Sequence, residues 1–238
     1  MEKKKIVAIR NLCIPHEIIF EILKEVPAKS LMRFSEGAIQ YLNQSRFSKL
    51  HSLASTNGLV CLWNFYGDVA VLNPFTQEHI FLPCQQPLIG RCSLGLDPTT
   101  KKYKVIKAQW IRGGRTSWEV RYCIYTIGVD KTWREIPDCA NVLPQYNFVY
   151  IGGVIYCVNS LSNPYSIAAF SVEEEKFIRM ILLPDGMLAK NSKIVETKGQ
   201  VALVDHRNIR GDGHISLYVV NGTGKTETWV KHIIALPP

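Results

Sequence analysis

Thr132-Trp133-Arg134-Glu135-Ile136 and Thr228-Trp229-Val230-Lys231-His232 set a tryptophan behind a threonine at two points 96 residues apart, two periods of 48. A second mark runs through the same region. Leu82-Pro83, Ile136-Pro137, Leu183-Pro184 and Leu236-Pro237 close successive units at intervals of 54, 47 and 53 residues. Three units also share a glycine followed by an apolar run, at Gly58-Leu59-Val60, Gly153-Val154-Ile155 and Gly199-Gln200-Val201. Between these marks the chain reads as short alternating runs broken by Gly, Asn, Pro and Asp, the pattern of half-buried strands joined by tight turns. A repeat of this length with room for about four strands is a propeller blade. The spacing predicts blades at 57–83, 91–137, 146–184 and 192–237. An irregular β-sandwich is the competing fold, and the doubled tryptophan and fourfold proline favour blades. Four blades are the fewest that close a propeller. The domain is therefore expected as a small closed propeller or as an incomplete one with an open flank.

Upstream of Asn57 the texture is helical. Wound from Pro15, a helix puts Ile18, Ile19, Ile22, Leu23 and Val26 on one side and Glu17, Glu21, Lys24 and Glu25 on the other. Pro15 suits the first helical position, where its missing N–H costs nothing, and Glu17 suits the positive end of the dipole. Pro27 stops this helix, and a second runs from Ala28 to Phe34 with Leu31, Met32 and Phe34 as its apolar residues. Two short helices hold too little core to stand alone. The stripe must pack on the chain's own body or on another protein.

The 238 residues are 47% apolar and 20% charged, which suits a soluble chain with a proper core. The start, interrupted by Arg10 and Asn11, is neither a signal peptide nor a membrane span. Seven cysteines without a Cys-x-x-Cys pair argue against a disulfide framework or zinc site. They point to reduced, buried thiols in a cytoplasmic or nuclear protein. The net charge of +8 concentrates between Asp97 and Glu135, with nine Lys/Arg against four acids. Most of these bases alternate with apolar residues as the solvent face of strands does. No nucleic-acid recognition signature accompanies them, so an acidic protein surface is the expected target of that patch.

Several apparent motifs carry no chemistry. Asn221-Gly222-Thr223-Gly224-Lys225-Thr226 has Val219 where a phosphate loop needs glycine, and is read as a hairpin turn. Arg210-Gly211-Asp212 reads as a tight loop. The six histidines show no metal-ligand spacing, and no nucleophile elbow or carboxylate pair stands out. No catalytic residue, metal or cofactor is expected. For target binding the candidate is the loop Arg112-Gly113-Gly114-Arg115-Thr116-Ser117-Trp118, because paired arginines beside a tryptophan suit an interface hot spot. An ordinary hairpin with solvated arginines is the alternative.

The order Ile14-Pro15-x-Glu17-Ile18-Ile19-x-Glu21-Ile22-Leu23-x-x-Val26-Pro27-x-Lys29-Ser30-Leu31-Met32-Arg33-Phe34 resembles the first half of the F-box motif of plant F-box proteins. Ile14 and Val26 stand where that family usually has leucine. Further on, Asn57-Gly58-Leu59-Val60, Leu72-Asn73-Pro74-Phe75-Thr76, Leu94-Gly95-Leu96-Asp97-Pro98 and Tyr103-Lys104-Val105 resemble the F-box-associated domain, a propeller-like, kelch-type module. Trp133-Arg134 and Val149-Tyr150-Ile151-Gly152-Gly153 extend that likeness. The resemblance implies an α+β multidomain chain: a basic tail (1–11), a small helical F-box (12–51) and an all-β propeller-like domain of about four β-meander repeats (57–238). It further implies a non-catalytic substrate receptor of a cullin-type ubiquitin ligase. Ile14, Pro15, Ile18, Ile22, Leu23, Pro27 and Leu31 would dock the ligase's small adaptor subunit, and the β domain would hold a target protein. No nucleic acid or membrane partner is implied. Gly37, Ile39 and Tyr41 depart from the family's third helix, so a second reading stays open: a protein-binding propeller outside any ligase.

Overall fold

The computed structural model describes residues 50, 52–64, 66–74, 76–84, 90–112, 118–137, 139, 142–188, 192–205, 207, 213–222 and 227–235. The F-box segment expected at 12–51 lies outside the described residues apart from Leu50.

Sixteen strands among the described residues form four antiparallel sheets, each a simple meander. Sheet one holds β1 (Ser52–Thr56), β2 (Leu59–Trp63), β3 (Val69–Leu72) and β4 (His79–Phe81). Sheet two holds β5 (Gly90–Leu96), β6 (Tyr103–Arg112), β7 (Trp118–Thr126) and β8 (Arg134–Ile136). Sheet three holds β9 (Pro144–Ile151), β10 (Val154–Asn159), β11 (Ser166–Ser171) and β12 (Lys176–Leu182). Sheet four holds β13 (Ser192–Thr197), β14 (Gln200–Asp205), β15 (His214–Asn221) and β16 (Thr228–Ala235). The four predicted blades are these sheets. The first begins earlier than the spacing suggests, because β1 lies ahead of Asn57. The first strands β1, β5 and β9 pack against one another, and β13 packs against β9, as the inner strands of blades do.

The repeated sequence marks are the joints of this architecture. Asn57 and Gly58 both have positive φ (47° and 82°), the two-residue turn that matches strand twist, and Asn and Gly adopt it at least cost. Gly153 and Gly199 occupy the same turn between the first two strands of their sheets. Both repeated tryptophans make the same kind of contact, reaching back to the end of the preceding sheet. Trp133 Nε1 donates to Pro83 O at 2.8 Å, and Trp229 Nε1 donates to Leu182 O at 2.8 Å. Each indole ties its sheet to the closing residues of the sheet before it. β15 and β16 end their pairing at Asn221–Thr228, and residues 223–226 of the phosphate-loop lookalike lie outside the described residues.

Among the described residues three apolar cores fill the spaces between successive sheets. Cys61, Val71, Leu94, Val105 and Tyr125 pack between sheets one and two. Ile106, Tyr122, Ile155, Ala168 and Phe170 pack between two and three. Val158, Ile167, Ile194 and Leu203 pack between three and four. Among the described residues no fourth core joins sheet four to sheet one. The outward face of sheet four leaves Val195, Leu217 and Val219 half-buried and Val230 and Ile234 exposed. The corresponding face of sheet one is buried, at Val60, Leu62, Ala70 and Leu72.

Sheets covered on both faces overturn one reading of the basic patch. Lys104 and Lys107 do not face solvent; they are 7% and 2% exposed. Alternation alone predicts a wet face only when one side of a sheet is uncovered, and sheet two is sandwiched. Lys107 holds its ammonium 5.3 Å from the Trp133 ring centroid, with no hydrogen-bond partner among the described residues.

Candidate protein-recognition site

Sheets two and three meet along a junction whose two ends differ. At one end lie the turns β5–β6, β7–β8 and β11–β12. Asp97 Oδ1 accepts from Thr99 N at 2.9 Å and Thr100 N at 3.0 Å, which fixes the β5–β6 turn. Lys104 Nζ then bridges the sheets, 2.9 Å from Asp97 Oδ2, 2.9 Å from Glu175 Oε1 and donating to Val172 O at 3.0 Å. Arg134 grips the same Glu175 with two bonds of 2.8 and 2.9 Å, and pairs with Asp130 at 3.2 Å. A two-pronged guanidinium–carboxylate contact is among the stronger polar contacts in proteins.

The electrostatics follow from this packing. Burial works to raise the Asp97 pKa, but the Lys104 ammonium and the turn amides carry it well below the usual carboxylate range. The Arg134 guanidinium, then Lys104, lowers Glu175. Burial also opposes the Lys104 charge, yet Glu175 and Asp97 raise its pKa. This end is a clamp made of charges that stay charged.

At the other end, where β6 finishes and β7 begins, the junction opens into a cleft of about 390 Å³. Trp110, Val120, Tyr122 and Ile136 from sheet two line it, with Leu143 and Leu161 from sheet three. Its outer wall carries Glu119, Arg121 and Glu135. Arg121 and Glu135 pair at 3.7 Å, and the Arg91 guanidinium lies 5.7 Å from the Trp110 ring centroid. An apolar floor with a few charged groups at the rim is the composition of a binding cleft. Among the described residues no group of three His, Cys, Asp or Glu side chains is placed to hold a metal.

Asn159, 2% exposed, sets the two leucines of this cleft. Its Oδ1 accepts from Leu143 N and from Leu161 N, each at 3.0 Å. Asn64 and Asp205 end the second strands of sheets one and four, and each accepts from a backbone N–H two residues on. An Asx side chain closing the second strand is thus a further repeat, and a buried Asn or Asp after an apolar strand is its sequence signal. Sequence reasoning passed over Asn159, Leu143 and Leu161. Sheet two lacks this device, and its second and third strands run on to the hairpin at 112–118.

That hairpin is the loop chosen from sequence. Arg112 and Trp118 form the last register pair of β6 and β7, two positions beyond Trp110–Val120 in the cleft. The loop therefore leaves from the mouth of the cleft. Arg115 and the side chains of Arg112 and Trp118 lie outside the described residues, as do Ile14, Pro15, Ile18, Ile22, Leu23, Pro27 and Leu31.

The model of the F-box associated beta propeller domain matches residues 21–238, nearly the whole chain. The chain belongs to the F-box-associated β-propeller family. Its relatives are plant F-box proteins. F-box protein At1g31080 of Arabidopsis thaliana is 28% identical over 94% of this chain and 61% of its own length. At1g53550, also from Arabidopsis thaliana and bearing an F-box protein name, is 28% identical over 84% of this chain and 52% of its own length. The chain thus spans little more than half of these relatives. Among solved structures, TolB from Acinetobacter baumannii aligns with a TM-score of 0.49 at 11% identity, over 79% of this chain and 43% of that one. That likeness is too slight to add to the fold.

Proposed function

We propose that this chain is a substrate-recognition subunit of a cullin–F-box (SCF-type) ubiquitin ligase. The observation that carries this reading is an F-box-like stretch, Ile14 to Phe34, set directly ahead of an F-box-associated propeller. The helical stripe Ile14, Pro15, Ile18, Ile22, Leu23, Pro27 and Leu31 docks on the adaptor, and the propeller holds a target protein. The receptor makes and breaks no bonds. It raises the concentration of a target lysine near the charged conjugating enzyme, an effective-concentration effect. The reading places the protein in the cytoplasm or nucleus.

Magnitudes frame the test. Five buried aliphatic side chains at ~1.5–3 kcal/mol each give roughly 8–15 kcal/mol gross, against an association cost of about 4–15 kcal/mol. The margin is narrow, so one charge in the stripe decides the outcome. Co-purification of the adaptor subunit with the full chain is expected for wild type and lost for Ile22→Asp. Equal recovery with both would reject the receptor reading. The substitutions Gly37 and Tyr41 in the third-helix region favour the second reading, a protein-binding propeller that enters no ligase. Absence of the adaptor from both preparations, with target capture intact, is the result that reading requires.

A further inference from the structure

Sheet two differs from its neighbours at its outer edge. In sheets three and four the outermost strand pairs with every residue of the strand inside it. In sheet one the pairs cover Ala70 to Leu72, and Leu82 N bonds Val69 O at 2.9 Å to complete the cover. In sheet two, β8 pairs only with Tyr122, Cys123 and Ile124 of the nine-residue β7. Pro137, which cannot donate to a ladder, follows at once. Among the described residues nothing pairs with Glu119 to Arg121 on that side. This bare stretch of β7 is the wall of the cleft.

The direction of its backbone groups can be worked out. Ile127 N bonds Tyr103 O toward β6, whereas Thr126 N bonds the Asp130 carboxylate on the opposite side. Strand residues alternate, so Ile124, Tyr122 and Val120 present both N–H and C=O away from β6. Tyr122 and Ile124 meet β8 this way. Val120 presents the same donor and acceptor to the cleft.

We propose that the cleft binds an extended segment of a partner protein, which adds as a strand to the bare edge of β7 along Glu119–Val120. Run antiparallel in the sense of β8, a segment residue opposite Val120 exchanges two backbone hydrogen bonds with it. Its side chain shares the face of Val120, over Trp110, Leu143 and Leu161, so it is large and apolar. The next residue lies opposite Glu119, which is exposed and has no ion pair among the described residues. Opposite charges at facing positions stabilise a sheet, so this residue is Lys or Arg. The recognised unit is a large apolar residue followed by a basic one, in extended conformation. This rests on the reading of the propeller as a target-binding module, and not on entry into a ligase.

The test uses the full chain and a phage-displayed library of random linear peptides. Enriched peptides should carry a large apolar residue followed directly by Lys or Arg, and Glu119→Lys should switch the second position to Asp or Glu. Synthesised with an N-methyl group on the amide of the apolar residue, an enriched peptide should bind about tenfold more weakly, the effect of one lost hydrogen bond. That variant leaves the protein untouched, so misfolding cannot mimic the result. Enrichment with no such pattern, or peptides indifferent to both Glu119→Lys and N-methylation, would overturn strand addition. The two readings fail separately: target capture that survives Glu119→Lys removes strand addition alone, and loss of adaptor co-purification leaves peptide binding where it stands.

Discussion

The clamp and the cleft sit at opposite ends of one junction, and β6 serves both, with Lys104 near its start and Trp110 near its end. At the clamp, Asp97, Lys104, Glu175, Arg134 and Asp130 satisfy one another across the two sheets. At the cleft, one buried amide holds two leucines, and a strand edge has no partner among the described residues. The difference teaches how a stack of blades can keep a cleft without loosening. Polar groups fix the angle between sheets at one end, and the other end can then afford an unfilled space.

Breaking the clamp should have the largest effect. Lys104→Met leaves the Asp97 carboxylate, only 2% exposed, without its cation. Removing one member of a buried pair costs about 3–5 kcal/mol, to be read as a lowered urea midpoint. Asn159→Ala comes next, because it strips the acceptor from two backbone donors behind the cleft. A loss of roughly 1–3 kcal/mol is expected, with weaker target capture, since Leu143 and Leu161 lose their common anchor.

Acid should act on the clamp and spare the cleft. Asp97, Asp130 and Glu175 all have pKa values below the ordinary ones. Their contribution is complete above about pH 4, the usual unfolded-state value. As pH falls toward their native values the unfolded chain binds protons first, and stability is lost. The urea midpoint should therefore drop below about pH 4, and the slope should be shallower in Glu175→Gln. Lys104, raised in the native state, acts in the other direction: its contribution is full below about pH 10.4 and fades as pH rises past that. The smallest effect on stability belongs to Leu161→Asp. This side chain is 54% exposed, so the midpoint should move by no more than about 0.5 kcal/mol while target capture falls. Loss of stability instead would mean that Leu161 is core and not binding surface.

The blades were legible because each repeats its own punctuation. Turn glycines, closing prolines and the doubled tryptophan are local demands of backbone and packing, so they appear at a fixed period. The β6–β7 hairpin stood out as a candidate through composition, but Arg115 and the side chains of Arg112 and Trp118 lie outside the described residues. Lys104 and Lys107 were misread because alternation reports which residues share a face, not whether that face is wet. The cleft itself was invisible. Pro137 marks the end of β8, but no local pattern says that β7 continues past it.

The order of residues by itself determined the number of blades, their turns and their membership in a family, since those depend on neighbours a few positions apart. Which face of each strand meets water, and which bare edge meets a hollow, was decided only when sheet three brought Leu143, Asn159 and Leu161 against sheet two. Those partners lie more than twenty residues from Val120 along the chain. Contacts at that separation depend on how two sheets pack, which no run of adjacent residues encodes.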